Sequence, residues 1–311
     1  VFIHKPVLLQ QVLALLAEGL EEAVFVDATL GEGGHAEAVL SANDRLDLCG
    51  IEKDGQVLQR ARERLGRFGT RVRLFRMDYV EFFRSAPRLM DRPPQRIFFD
   101  LGVSMFHYQA SGRGFSFSRS EPLDMRLDIE KGQTAAELLA EISEGELRGL
   151  IGRYGEERFA SSISRAIVAQ RKSRDIRDSR VLADIVRNAV PPSYRYGRIH
   201  PATRTFQALR IAVNGELDLL EAALPVAFDC LAAGGRMGVI SFHSLEDRIV
   251  KRFFQERNKS CTCPPEWPIC QCGGRRRARV LTPKPLQATE AEMQDNPASR
   301  SARFRVLEKI A

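Results

Sequence analysis

Apolar positions in the first third of the chain come in short runs separated by amphipathic stretches. Ala23 to Leu30 (AVFVDATL) is one such run and ends at glycines; Leu46 to Ile51 (LDLCGI) is the next. Arg71 to Phe75 (RVRLF) and Arg96 to Asp100 (RIFFD) follow, and each of the four predicts a strand. The stretches between them, His35 to Leu40, Gln56 to Leu65 and Val80 to Phe83, predict helices, with Val57, Ala61 and Leu65 spaced by four. Strands alternating with helices at these spacings predict a parallel sheet with helices on both faces.

The alternation then stops. From Ser111 to His200 the periodicity is helical: Thr134 to Ile142, Glu144 to Arg153, Glu156 to Gln170, and Ser179 to Val190 before Pro191-Pro192. Thr203 to Leu224 predicts one long amphipathic helix, with Thr203 as its N-cap and Pro225 marking its end. Met237 to Phe242 predicts a fifth strand. The expected organisation is an α/β domain in two parts, residues 1–110 and 201–311, with an all-helical domain inserted at 111–200.

Composition adds four things. A chain of 311 residues, 44% hydrophobic, has material for one large core and a satellite domain. No apolar run approaches membrane-crossing length, so the expectation is a cytoplasmic protein with no membrane partner. The net charge is +7, and basic side chains crowd the segment from Arg248 to Arg279, with a second run at Arg171-Lys172-Ser173-Arg174. Such clustering points to a polyanionic partner, nucleic acid above all. Of six cysteines, Cys49 and Cys230 lie in apolar stretches and read as core residues. Cys261, Cys263, Cys270 and Cys272 form two Cys-x-Cys pairs; the usual zinc spacing is wider, so a reduced, locally packed loop is expected and no metal site.

The chemistry-bearing residues sit at predicted strand ends. The first strand runs into Gly31-Glu-Gly33-Gly34-His35, glycines that allow close backbone approach of a ligand at a helix N-terminus. Glu52, at the tip of the second strand, suits the ribose hydroxyls of an adenosine cofactor or is a solvated strand-end charge. Tyr79 follows the third strand; its ring either covers the cofactor crevice or packs under a loop. Asp100 and Ser104 follow the fourth strand. Fixed acceptors there suit an amine that gains positive charge as it is methylated. His243 follows the fifth strand and is either a catalyst or a hydrogen-bonded structural residue.

These residues fall within longer blocks: HKPVLLQQVL at His4, DATLGEGGH at Asp27, DLGVS at Asp100, RGFSF at Arg113, PLDMRLD at Pro122, YGEERFA at Tyr154, HPATRTFQALRIAVNGEL at His200, GGRMGVISFHSLEDRIVK at Gly234 and NPASRSARFRV at Asn296. In that order the chain resembles the bacterial small-subunit ribosomal RNA (cytosine-N4)-methyltransferase family of the MraW type. The resemblance implies a Rossmann-like class I methyltransferase domain with an inserted helical domain. It implies S-adenosylmethionine-dependent methylation of the exocyclic amine of a cytidine near the decoding centre of small-subunit rRNA. The partner is then that rRNA or the assembled small subunit, and a homodimer is the default oligomer. Cofactor contacts carried over from the resemblance are Gly33, Gly34, His35, Glu52, Tyr79, Asp100 and His107. Asp is commoner at Glu52 and Phe at Tyr79. After Ser104 the family continues Ser-Pro-Gln-Leu-Asp, where this chain has Met105 to Gln109, which puts His107 in place of a Gln. Asp100, Ser104 and His243 are the expected catalytic residues. Arg113, Arg126, Arg204, Arg275, Arg276 and Arg277 are the expected RNA contacts. Alternative readings are a methyltransferase on another RNA base and a non-catalytic RNA-binding assembly factor that keeps the fold.

Overall fold

The computed structural model describes residues 5–20, 22–197, 199–261, 263–264, 266–269, 271 and 274–310. The chain divides into two compact units, one of residues 1–103 and 218–311 and one of residues 104–217.

The first unit is built on a seven-stranded sheet. Its strands are β1 (Ala23–Asp27), β2 (Leu46–Ile51), β3 (Val72–Phe75), β4 (Arg96–Asp100), β5 (Arg236–Ser241), β6 (Ala278–Val280) and β7 (Arg303–Lys309). The order is β3-β2-β1-β4-β5-β7-β6. β1 pairs in parallel with both β2 and β4, β2 with β3, and β4 with β5. β7 runs antiparallel between β5 and β6. This is the Rossmann-like class I methyltransferase arrangement.

The strands are apolar throughout because both faces of the sheet are covered. All five residues of β1 are buried, and its side chains alternate. Val24 and Val26 join a cluster with Phe82, Phe83, Phe228 and Phe254, from the helices Tyr79–Leu89, Glu216–Cys230 and Ser244–Asn258. Phe25 faces the other way, among residues of the helices Gly34–Ala42 and Gly55–Leu65 and the segment from Val7 to Ala17. β1 separates two oppositely wound halves of the sheet, so the carboxyl ends of β1 and β4 bound the crevice where such folds bind ligands. β6 and β7 are absent from the sequence expectation. Their few apolar residues are interrupted by Arg279, Arg303, Arg305 and Glu308, so no continuous run marks them.

The second unit is helical, with Ala135–Glu141, Glu144–Gly155, Ala160–Arg171, Ser179–Ala189 and Thr203–Asn214 as its main elements. Thr134 and Ser143 each start a helix with a reciprocal capping box, and Asp178 caps another. The single helix expected over 203–224 is in fact two. Gly215 adopts φ 60 and closes Thr203–Asn214, its N–H donating to the Ile211 carbonyl. Thr203 is the first helical residue, not a side-chain cap. Pro225 does not end the following helix but lies inside Glu216–Cys230. Burial of Leu220, Ala223, Leu224, Ala227 and Phe228 offsets the backbone bond that proline removes.

Within this unit Glu144–Gly155 lies against Thr203–Asn214 so closely that a Cβ on Gly155 would come 2.6 Å from the Arg204 carbonyl oxygen. A Cβ on Gly149, on the same helix, meets nothing within 4 Å. Gly155→Ala is expected to lower stability by about 1–3 kcal/mol in denaturant titration. Gly149→Ala is expected to be neutral or stabilising by up to ~1 kcal/mol. Equal effects would contradict the close crossing.

Candidate active site

The turn after β1 passes Gly31 and Gly33, both at positive φ, into the helix Gly34–Ala42. That helix has no side-chain hydrogen bond at its N-cap, so its first-turn N–H groups face the crevice without a capping side chain. The next helices differ. Asp54 accepts from the Gln56 N–H at the start of Gly55–Leu65, and Asp78 from the Glu81 N–H at the start of Tyr79–Leu89. The turn is locked to its neighbours: the Leu30 N–H donates to the Ile51 carbonyl, and the Asp100 N–H to Thr29 Oγ1 at 2.6 Å.

Three carboxylates converge here. Glu52 accepts from the Gly31 N–H (3.1 Å) and from the Asp54 N–H (2.8 Å), so it holds the glycine turn to the tip of β2. Each carboxylate oxygen has a second lone pair, which leaves capacity for ribose hydroxyls. Asp27 is fully buried and accepts from the Thr29 N–H. Burial pushes its carboxyl up to about 7, against the pull of His35 and that N–H, with Asp100 and Glu52 pushing the same way as burial. Asp100 ends β4; its Oδ1 is buried with no hydrogen-bond partner, and its Oδ2 lies 3.3 Å from His35 Nδ1. The other ring nitrogen of His35 is 2.9 Å from the Val7 carbonyl oxygen. Burial lowers the His35 pKa, but the hydrogen bond and charge of Asp100, with Val7 and Asp27 behind them, carry it above its ordinary value.

A glycine turn free of side-chain caps, a carboxylate at the tip of β2 and a buried acceptor with no partner on β4 fit an adenosine cofactor with a cationic end. Tyr79 adds a half-buried ring, edge-on to Phe99 at 5.6 Å.

His243 sits at a helix start and is hydrogen-bonded there. It caps Ser244–Asn258: its Nδ1 accepts from the Glu246 N–H, while its Nε2 lies 3.1 Å from Glu246 Oε1. Nδ1 is thus used at the helix start, while Nε2 is buried beside Glu246 without a hydrogen-bond partner. Ser104 and His107 belong to the helical unit. Ser104 caps Met105–Gln109 by accepting from the Phe106 N–H. His107 is buried, with the Phe115 ring 5.0 Å away and the Phe106 ring 5.7 Å away.

The arginines separate by burial. Arg113 is 7% exposed and donates to the carbonyls of Arg126 and Leu127, so it is an internal crosslink and not a surface phosphate contact. Arg126 is likewise engaged, forming a two-pronged pair with Asp124 (2.8 Å at both prongs). Arg204 donates to the Glu156 carbonyl and closes the end of Glu144–Gly155. Arg275, Arg276 and Arg277 are exposed; Arg276 bonds Asn258, and Arg277 pairs with Asp229 and lies over the Phe228 ring. Cys49 is buried and Cys230 half-buried, while Cys261 is exposed and Cys263, half-buried, accepts from the Gln271 N–H. Cys270 and Cys272 lie outside the described residues. Sequence reasoning missed Asp27 as a titrating group and Val7 as a partner of His35. The first is a strand residue like its neighbours, and the second contributes only its backbone.

A model of the MraW methylase family matches residues 1–310. A Treponema denticola protein named ribosomal RNA small subunit methyltransferase H is 52% identical over 308 residues, 99% of this chain and 98% of its own. A Heliobacterium modesticaldum protein of the same name is 45% identical over 312 residues, covering 100% of this chain and 99% of its own. Among solved structures, an rRNA methylase from Streptococcus thermophilus aligns with a TM-score of 0.44 at 12% identity, covering 100% of both chains. Among the described residues no helix is long and apolar enough to cross a membrane.

The raised Asp27 pKa has a consequence for stability. In the unfolded chain the group ionises at its ordinary 3.8, and in the folded protein at about 7. Between those values the folded state holds more protons, so the contribution is complete below the lower value and is lost as pH rises through the upper one. Asp27→Asn cannot ionise. In ligand-free protein the melting temperature of this variant, relative to the wild type, is expected to rise from pH 4 to 8, by at most on the order of 4 kcal/mol of stability. A difference that does not vary with pH would remove Asp27 as the titrating group.

Proposed function

The chain belongs to the MraW methylase family, and from that premise we propose that it methylates the exocyclic N4 amine of a cytidine in small-subunit ribosomal RNA, near the decoding centre. S-adenosylmethionine supplies the methyl group as an electrophile carried on a sulfonium. The observation that carries the reading is Asp100. It ends the strand beside the crevice with one oxygen held by His35 and the other buried without a partner.

A cytosine amine is a weak nucleophile because its lone pair is conjugated with the ring. An acceptor on its N–H draws the nitrogen toward a pyramidal geometry and meets the positive charge that develops as the new bond forms. Asp100 Oδ1 is that acceptor. Glu52 accepts from the ribose hydroxyls of the donor, the turn from Gly31 to Gly34 lets the backbone come close to it, and Tyr79 supplies an apolar wall. No covalent link to the protein is needed: the N4–methyl bond would form as the methyl–sulfur bond breaks to leave a neutral thioether, the surplus proton on N4 would pass to Asp100 Oδ1 or to solvent, and alignment and fixed acceptors supply the rate. Ser104 and His243 stand behind Asp100, since each already uses its side chain to start a helix. His107 enters only as a member of the short helix Met105–Gln109 that follows β4.

The target base must leave its stack to be reached. The partner is the rRNA or the assembled small subunit, with positioning by phosphate contacts. Arg275 serves this best: it is exposed and sits in the basic run before β6.

Labelled methyl transfer to small subunits lacking the modification, followed by nucleoside mass spectrometry, is expected to give N4-methylcytidine. Asp100→Asn is expected to lower kcat by about 10²–10³-fold while donor binding persists in calorimetry. Full turnover by this variant, or label on another base, would overturn the assignment. Replacing Arg275 with Ala is expected to weaken RNA binding uniformly and reduce the salt slope by about 1. Replacing the buried Arg113 is expected to lower the melting temperature instead. A salt slope changed only by the Arg113 variant would reverse the two roles.

A further inference from the structure

The His35 ring is 6% exposed and lies edge-on to Phe98 at 4.9 Å, so it has little freedom to rotate. Its Nε2 lies 2.9 Å from the Val7 carbonyl oxygen, which has no proton to give. That nitrogen therefore carries a hydrogen. Its Nδ1 faces Asp100 Oδ2 at 3.3 Å. Asp100 on β4 and Asp27 on β1 both favour a charged ring, and Glu52 at the tip of β2 couples to Asp27. A second N–H, directed at Asp100, is the arrangement these neighbours favour.

The Val7 carbonyl is itself fixed. Leu8 is fully buried and sits at φ 54, a conformation that disfavours residues with a side chain. Its N–H donates to Glu292 Oε1 at 2.7 Å. Lys5 pairs with Asp295 at 2.7 Å, and Asn296 Nδ2 donates to the Lys5 carbonyl. Pro6 packs so closely on the start of Gly34–Ala42 that a Cβ on Gly34 would meet it at 3.0 Å. The N-terminal segment is thus a strap, tied down by residues from near the other end of the chain, that presents one carbonyl to one imidazole.

We propose that His35 is a positioning residue for Asp100: its ring, bearing a proton on both nitrogens, braces Oδ2 against the Val7 carbonyl and so aims Oδ1 at the reacting amine. The side chain then acts through Asp100 and does not itself bind the donor. The role rests on the methyl-transfer reading above, while the state of the ring is a property of the protein alone and is measured separately.

Two substitutions divide the functions of the ring. His35→Asn keeps an amide N–H near the Nδ1 position and loses the reach to Val7. His35→Gln places its amide near Nε2, can keep Val7, and loses Asp100. His35→Gln is expected to lower kcat by about 10–100-fold with KM for the donor nearly unchanged, and His35→Asn to recover most of that loss. A purely structural ring would give the same loss with both, or a rise in KM. In the ligand-free wild type, nitrogen-15 NMR of labelled histidines is expected to show both His35 nitrogens protonated at neutral pH, and one of them deprotonated in Asp100→Asn. A neutral, singly protonated ring in the wild type would overturn the proposal whatever the activity. If the ring is doubly protonated but no RNA is methylated, the functional reading has failed and the brace has not. If neither variant folds, the NMR of the wild type and of Asp100→Asn still decides.

Discussion

Carboxylates crowded at one end of a parallel sheet repel each other and lose water, and the buried imidazole of His35 is the counterweight on which this end of the structure depends. Without a partner, a buried carboxylate costs several kcal/mol or takes up a proton. Both outcomes occur here within a few residues. Asp100 is beside the ring, while Asp27, buried and next to the same ring, is pushed up to about 7. One fold end therefore holds two acids with unlike surroundings, which separates an acceptor from a proton-holding neighbour without any change of residue type.

The same end of the sheet shows how helix starts are used. Asp54, Asp78 and His243 each place an acceptor on the first free N–H groups of the helix that follows a strand. Only Gly33 does so without a side chain, among these four helices of the parallel part of the sheet. The turn after β1 is thus the one left for a ligand, and its glycines allow backbone approach that a Cβ would obstruct. Glu52 then ties the turn to the tip of β2 through the Gly31 N–H, so the proposed ribose partner and the glycine turn are held together.

The basic character of the chain divides in a similar way. Arg113 and Arg126 satisfy carbonyls and a carboxylate inside the helical unit, and Arg204 closes a helix end. A guanidinium has five donors and suits either a phosphate or a cluster of backbone oxygens. Net charge therefore overstates the surface open to an anion, which among the described residues includes exposed basic side chains at Arg275, Lys172, Arg174, Lys251 and Lys259.

Much of this was legible along the chain. Strands buried on both faces read as apolar runs, so β1 to β5 stood out, as did the four helices between residues 134 and 190 and the residues at the strand tips. Helix stops were less legible, because a proline inside Glu216–Cys230 is tolerated where its neighbours are buried, and Gly215 ends a helix through a backbone angle that the residue type permits but does not demand. β6 and β7 were hidden because their charged residues pair across the sheet, Arg279 and Arg236 with Glu308, and only the fold brings those partners together. The capping contact of His243 was hidden in the same way, since it shows only once the helix it starts is seen. The sequence by itself determined where β1 to β5 and the four helices between residues 134 and 190 form, because those depend on near neighbours. The tertiary structure decided which charges lose water and what faces them, because Val7, His35 and Asp100 meet only when the sheet closes around them.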